Sequence, residues 1–206
     1  MFITFEGIDR SGKSTQAILL HNYLSGIGYR TKLIREPGGT RVSEKIRKIL
    51  LDKSCKPMDF LTEFLLFSAS RKQLTEEVIK PCLNQGVIVI CDRYFDSSTA
   101  YQGYGGKVDM KIISMVNKIS SAGVKPDLTF LIDITYPESI KRQGLMSSSN
   151  DRIEDRRAGY FNKVIKGYRE LAKVNSRIVK LNGLKPVNEI HNKIKLLITG
   201  KLKSLS

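Results

Sequence analysis

Apolar and polar positions alternate along this chain in two rhythms, one suited to strands and one to helices. Phe2 to Glu6 is a short apolar run broken off by a glycine-rich loop. Ala17, Ile18, Leu20, His21 and Leu24 then recur at helical spacing and predict a helix over 13–28 that ends in Gly26 and Gly28. Thr31 to Arg35 reads as a second strand, stopped by Glu36-Pro37-Gly38-Gly39. Helical periodicity returns over 41–52 and 58–84. Val87 to Cys91, VIVIC, is apolar on both faces, which suits a strand buried from both sides of a parallel sheet. Strands follow at Asp127–Asp133 and Arg177–Leu181, and helices around 97–104, 109–122, 136–144, 154–174 and 187–202.

Strands alternating with helices predict an α/β fold: a doubly wound, five-stranded parallel sheet flanked by helices. The length fits a single domain over 1–206 with a short insertion. Ligands in such sheets bind beyond the carboxyl ends of the strands. The chemically suggestive residues do follow strands: the loop after Glu6, then Glu36-Pro37, then Asp92-Arg93. No internal repeat is evident. Ser147-Ser148-Ser149-Asn150 is the one low-complexity patch and reads as a flexible loop.

Composition narrows the classes. No apolar run approaches the roughly 18 residues of a membrane span, and the N-terminus lacks the pattern of a signal peptide. Cys55, Cys82 and Cys91 have no C-x-x-C spacing and read as reduced thiols, so a cytoplasmic protein is expected. A formal charge of +15 permits nucleic-acid binding, but the excess lysine lies at helical spacing opposite apolar residues, without interleaved aromatics. Solvated helix surface plus a positive cleft for small phosphorylated ligands is the preferred reading, with no nucleic-acid partner and no membrane.

The sharpest local signal is Gly7-Ile8-Asp9-Arg10-Ser11-Gly12-Lys13-Ser14-Thr15, a match to G-x-x-x-x-G-K-[ST] between a predicted strand and a predicted helix. The glycines permit close backbone approach, and successive N–H groups at the helix start attract anionic oxygens. Lys13 is suited to β- and γ-phosphates, and the Ser14 hydroxyl to Mg²⁺. Asp9 and Arg10, adjacent and opposite in charge, are unusual beside bound phosphate. No N-K-x-D base-reading motif accompanies the loop, which favours a small-molecule kinase over a GTPase.

Other constellations are suggestive singly. Asp92-Arg93-Tyr94 follows the buried strand: the acid can hold Mg²⁺ through water or orient an attacking oxygen, and the arginine can clamp a phosphate. Phe67 and Arg71 share a helix face and could hold a nucleobase, though such spacing also fits core plus surface. The polar stretch 141–153 has Gly and Ser hinges between Arg142 and Arg152, as in a closing lid or a plain exposed loop.

Taken together, FEGIDRSGKST, REPGGT at 35–40, EFLLFSASRKQ at 63–73, DRYFDSSTAYQG at 92–103 and KR…NDRIE at 141–154 resemble the thymidylate kinase family over almost the whole chain. The resemblance implies ATP and Mg²⁺ as donor and metal, dTMP as the small-molecule acceptor, and a homodimer. It implies that Phe67 stacks on thymine, Arg71 bonds its carbonyl edge, Ser98 lies at the base, Tyr101 packs near the deoxyribose and Gln102 lines the pocket. Arg93, helped by Arg35, would bind the dTMP phosphate. Asp9 would face the acceptor. Glu36, Asp92 and Ser14 would organise Mg²⁺ and its waters. Arg142 and Arg152 would bracket the lid, with Arg142 also near adenine, and Asn182–Pro186 would lie over adenine. Arg10, Lys13, Arg93, Arg142 and Arg152 would carry the charge stabilisation.

Two departures matter. Many bacterial relatives lack a phosphate-loop arginine and supply basic residues from the lid, whereas here Arg10 is in the loop and Gln143–Asp151 holds no basic residue. That resembles the eukaryotic-type arrangement, although REPGGT looks bacterial. Ser98 stands where some relatives have a larger base-contacting side chain.

Overall fold

The structure is a computed structural model that describes residues 1–144 and 151–203. Residues 145–150, in the middle of the expected lid and including the Ser147–Asn150 patch, lie outside the described residues. The strands are β1 Phe2–Glu6, β2 Thr31–Arg35, β3 Ile88–Asp92, β4 Leu128–Asp133 and β5 Ile178–Asn182, forming one parallel sheet in the order β2-β3-β1-β4-β5. The doubly wound five-stranded sheet read from the sequence is therefore present.

Two-residue alternation in the central strands sorts side chains to the two faces, and both are covered. Ile3 and Phe5 of β1, Ile88 and Ile90 of β3, and Leu128, Phe130 and Ile132 of β4 share one core. It is closed by Ala17, Leu20 and Leu24 of α1 (Lys13–Gly26) and by Ile190, Ile194 and Ile198 of α9 (Val187–Lys203). On the opposite face Phe2, Val89 and Cys91 pack with Leu74 and Tyr94, while Leu131 joins Phe161, Val164 and Tyr168. Thr4 and Thr129 lie buried on that same face and join their hydroxyls at 2.7 Å, which satisfies both.

The remaining helices are α2 Arg41–Leu51, α3 Phe60–Leu74, α4 Lys80–Asn84, α5 Phe95–Ser98, α6 Met110–Ser120, α7 Tyr136–Gly144 and α8 Ala158–Val174. Thr40 caps α2 through Ser43 N, Asp59 caps α3 through the N–H groups of Leu61 and Thr62, and Asp109 caps α6 through Lys111 N.

Three stretches differ from expectation. The predicted helix over 58–84 is interrupted by a π-helical turn at Thr75–Ile79, just before Pro81. A proline ring crowds the carbonyl one turn back, and the wider turn relieves it. Thr99–Gly105 is also π-helical rather than α-helical. The helix expected from 154 begins at Ala158, because the Asp151 carboxylate accepts from the N–H groups of Ile153 and Glu154 and closes a turn first.

Because β1 lies between β3 and β4, the loop leaving β1 emerges beside the residues that follow β3. Arg35 and Phe5 are both in register with Asp92, so the ends of three strands converge. That convergence is the crevice where open α/β sheets bind ligands.

Candidate functional site

The loop from Gly7 to Gly12 leaves β1 and turns directly into α1. Gly7 has φ +140°, and a Cβ there would sit 2.6 Å from the carbonyl oxygen of Ile132, so only glycine fits. Gly12, at φ +96°, opens α1 without a side-chain cap, leaving the first-turn N–H groups of the helix for an anion. Ile8 points into the core and Thr15 is exposed. The Ser11 hydroxyl is buried without a hydrogen-bond partner among the described residues. Lys13 reaches back over the loop, its Nζ 3.5 Å from Ile8 O and 3.6 Å from Asp9 Oδ1. Burial, and Arg93 nearby, lower the Lys13 pKa. Ser139 of α7 steadies the loop by donating to Asp9 O at 2.8 Å.

Asp9 and Arg10 diverge. Asp9 accepts from Arg93 Nη2 at 2.5 Å and from the Tyr101 hydroxyl at 3.2 Å. Burial alone would raise its pKa, but Arg93 and Lys13 outweigh that and hold the carboxyl well below the ordinary range. Arg10 turns the other way, to Glu154 Oε2 at 3.0 Å. Arg142 braces the same stretch: Nη1 donates to Arg10 O at 3.1 Å and Ser11 O at 3.2 Å, Nη2 to Gly183 O at 2.8 Å, and Nε to Glu138 at 2.8 Å. It thereby links the phosphate loop to the late loop at Asn182–Pro186.

Arg10 and Arg93 both have left-handed backbone, φ +62° and +72°. A non-glycine residue there is strained, and such strain clusters at functional sites. At Arg93 the surroundings enforce it. Arg93 Nη1 donates to Gly7 O at 2.9 Å, Ser97 Oγ at 3.2 Å and Tyr168 OH at 3.3 Å. Beneath it the buried Glu6 accepts from Tyr94 N at 2.8 Å, Ser97 Oγ at 2.6 Å and Tyr168 OH at 2.9 Å. Burial, followed by the Asp96 charge, pushes the Glu6 carboxyl up to about 7.

Beside Arg93 lies a pocket lined by Phe67, Arg71, Ser98, Tyr101, Gln102 and Ile153, among others, with Asp9 and Arg93 at one end and Glu36 at another. Arg71 is almost completely buried, and both its terminal nitrogens are engaged: Nη2 lies 2.5 Å from Glu36 Oε1 and donates to Ser98 Oγ at 2.7 Å, while Nη1 donates to Asn117 Oδ1 at 2.9 Å. Arg71 Nε and Glu36 Oε2 are buried without partners among the described residues. Burial raises the Glu36 pKa against the pull of Arg71. A flat ring, a fixed guanidinium and unpaired polar atoms in one cleft suit a planar heterocycle with a hydrogen-bonding edge.

For a metal, Asp92 Oδ2 accepts from the Ser14 hydroxyl, and Asp92 Oδ1 is buried without a partner among the described residues. No cluster of three or more His, Cys, Asp or Glu side chains suited to a metal occurs among the described residues. An oxygen pair with spare acceptor capacity, next to a phosphate cradle, fits a hydrated hard cation shared with a nucleotide rather than an all-protein cage.

Two expected site residues stand elsewhere. Arg35 is half exposed and donates to both carboxylate oxygens of Glu44 at 2.9 Å, outside the pocket; Arg47 lines the pocket in its place, its Nη1 bonded to Pro37 O at 3.0 Å. Strand alternation turns Arg35 outward, a direction its place in REPGGT does not reveal. Arg152 does not project from a lid edge. It is buried against Glu63, with Nη2 to Oε2 at 2.6 Å and Nε to Leu50 O at 2.8 Å. Sequence reasoning also missed Glu6, Arg47, Glu63, Ser97 and Tyr168. Glu6 carried a signal, a charged residue closing an otherwise apolar buried strand.

The family model for thymidylate kinase matches residues 5–194. A thymidylate kinase of Pelodictyon phaeoclathratiforme is 44% identical over 213 aligned positions, covering 99% of this chain and 98% of the relative. One from a Sulfurihydrogenibium species is 43% identical over 206 positions, covering 100% and 98%. The crystal structure of thymidylate kinase from Ehrlichia chaffeensis superposes with a TM-score of 0.79 at 37% identity, covering 97% of this chain and 98% of that one.

Proposed function

The chain belongs to the thymidylate kinase family, and we propose that the cleft described above is where it transfers the γ-phosphoryl group of ATP to dTMP, giving dTDP and ADP for dTTP synthesis. The observation that carries the assignment of the acceptor site is the pocket joining Phe67 and the buried, partly unpaired Arg71 to Arg93 and the phosphate loop. Thymine stacks on Phe67, with its carbonyl edge towards Arg71 and Ser98. Tyr101, whose hydroxyl is tied to Asp9 and Arg93, packs against the deoxyribose and leaves no room for a 2′-hydroxyl. Gln102 closes the wall.

The acceptor phosphate oxygen is already a nucleophile near neutral pH, so no strong general base is required. The barrier lies in bringing two anionic groups together, and charge and positioning lower it. Arg93 holds the acceptor phosphate, Lys13 and the loop N–H groups hold the donor, and Arg10 leaves Glu154 to meet the migrating phosphoryl group. Arg142 keeps the loop in place from the adenine side. Ser14 and Asp92, with Glu36 through water, would hold Mg²⁺, which neutralises phosphate charge when bound.

The active species is a homodimer. Exposed apolar side chains recur on helices that pack against one another: Val42 and Ile49 on α2, Leu61 and Leu65 on α3, and Met115 and Ile119 on α6. The chain acts in the cytoplasm as one domain, with 141–153 as its lid; three free cysteines, and no helix long and apolar enough to cross a membrane among the described residues, support that setting. An ADP-release assay across dTMP, dUMP, dGMP, AMP and CMP tests the assignment. dTMP is expected to give the highest kcat/KM, and another preferred acceptor overturns it.

A further inference from the structure

Glu63 lies on α3 one turn before Phe67, is fully buried, and is approached by two arginines and an amide. Its Oε1 accepts from Gln102 Nε2 at 2.8 Å and Arg156 Nη1 at 3.1 Å. Its Oε2 accepts from Arg152 Nη2 and Arg156 Nη2, both at 2.6 Å. One carboxylate against two guanidiniums leaves a net positive cluster in the interior, costly unless every donor is satisfied. Most of the donors have partners. Arg152 Nε goes to Leu50 O at 2.8 Å, and Arg156 lies 4.5 Å over Phe60 and 4.6 Å over Tyr160, to whose hydroxyl it also donates.

The two arginines belong to the turn 151–156, and the residues between them matter. Ile153 lines the acceptor pocket, and so does Asp151 at the head of the turn. Glu154 holds Arg10 of the phosphate loop at 3.0 Å. Backbone anchoring is sparse, chiefly Arg152 N to Leu51 O at 3.2 Å and the local Asp151 cap. Exposed ion pairs from Lys53 and Lys56 to Asp155 add to this, but the buried ion-pair anchor of the turn, and so of the partner of Arg10, is a carboxylate on the helix that carries Phe67.

We infer that Glu63 is a positioning residue that locks the 151–156 turn to the base pocket and so couples occupation of that pocket to the setting of Arg10 in the phosphate loop. Gln102 and Phe67 are the sensing side: one bonds Glu63 directly, the other sits a helical turn along. Ile153 and Glu154 are the responding side. Glu63 touches no reacting atom. Its effect is energetic coupling, which must be reciprocal between the two ligands.

The inference rests on dTMP and ATP being the two substrates, and the test separates the two claims. Affinity for a non-hydrolysable ATP analogue is measured by calorimetry on the full chain, with and without saturating dTMP, for the parent, Glu63→Gln and Arg156→Gln. In the parent, dTMP is expected to change analogue affinity by roughly 5-fold or more, the usual lower range of coupling between sites. In both variants the affinity without dTMP should stay close to the parent, while the effect of dTMP disappears. A residue needed only for packing would weaken analogue binding equally in both conditions. An unchanged dTMP effect in a folded variant, or no effect in the parent, overturns the inference. If Glu63→Gln does not fold, Arg156→Gln decides, because Arg156 is at the edge of the cluster and Arg152 still neutralises Glu63. Failure of dTMP as an acceptor in the substrate panel would instead strike the functional assignment.

Discussion

Replacing Arg10 by alanine separates what the phosphate-loop arginine does for the fold from what it does for the reaction. Its structural contribution is small. The pair with Glu154 is 3.0 Å long and partly accessible on both sides, so its loss costs about 1 kcal/mol or less. Alanine at φ +62° meets nearly the same backbone strain as arginine, so that contribution cancels between parent and variant. The effect on the reaction is expected to be larger: loss of a charge donor aimed at the transferring group lowers kcat roughly 100-fold or more, about 2.7 kcal/mol of barrier. The stretch from Gln143 to Asp151 has no basic residue to substitute. The assay is ADP release at saturating ATP and dTMP, with thermal melts in parallel. Arg10→Gly serves as the control: it should match the alanine variant in kcat but recover about 1 kcal/mol of stability, because glycine accepts positive φ. A kcat within about threefold of the parent, less than 1 kcal/mol of barrier, would mean that Arg10 does not act on the transferring group.

Two further outcomes follow from the same geometry. Gly7→Ala should lose about 1–3 kcal/mol of stability together with ATP binding, since the new Cβ lands 2.6 Å from the backbone oxygen of Ile132; a melt and a nucleotide titration check both. Glu6→Gln tests the buried carboxylate beneath Arg93. Its pKa is raised from 4.5 to about 7, so the folded chain holds the proton to higher pH than the unfolded chain, and the Glu6 contribution to stability falls as pH rises through that window. Glutamine cannot titrate, so the melting temperature of the variant relative to the parent should climb between about pH 5 and pH 8; a flat difference would mean that Glu6 does not titrate there.

The expectations that held depended on local rules. The strand-loop-helix at the start combines a buried apolar run, glycines that no other residue can replace, and a helix opening without a side-chain cap. The double-faced apolar pattern of β3 announced a central strand, and β3 does pair with both β1 and β2. The readings that shifted depended on direction and distance. Arg35 follows the right strand, but the pleat turns it to Glu44, and Arg47 from the next helix reaches the pocket in its place. Arg152 has the spacing of a lid arginine, yet a buried carboxylate 89 residues away captures it.

What the sequence determined by itself is the set of elements and the kind of chemistry, because periodicity, capping and backbone permissiveness act over a few residues. It also carried the opposite charges of Asp9 and Arg10. Which partner each charge takes is fixed by the assembled fold. Asp9 goes to Arg93 across the sheet and Arg10 to Glu154 in the turn that opens at Asp151. Both are settled by the strand order that brings the end of β3 beside the loop leaving β1, and by the Glu63 cluster that holds the 151–156 turn against the pocket. An ion pair depends on separation in space, and separation along the chain says little about that until the sheet has been assembled.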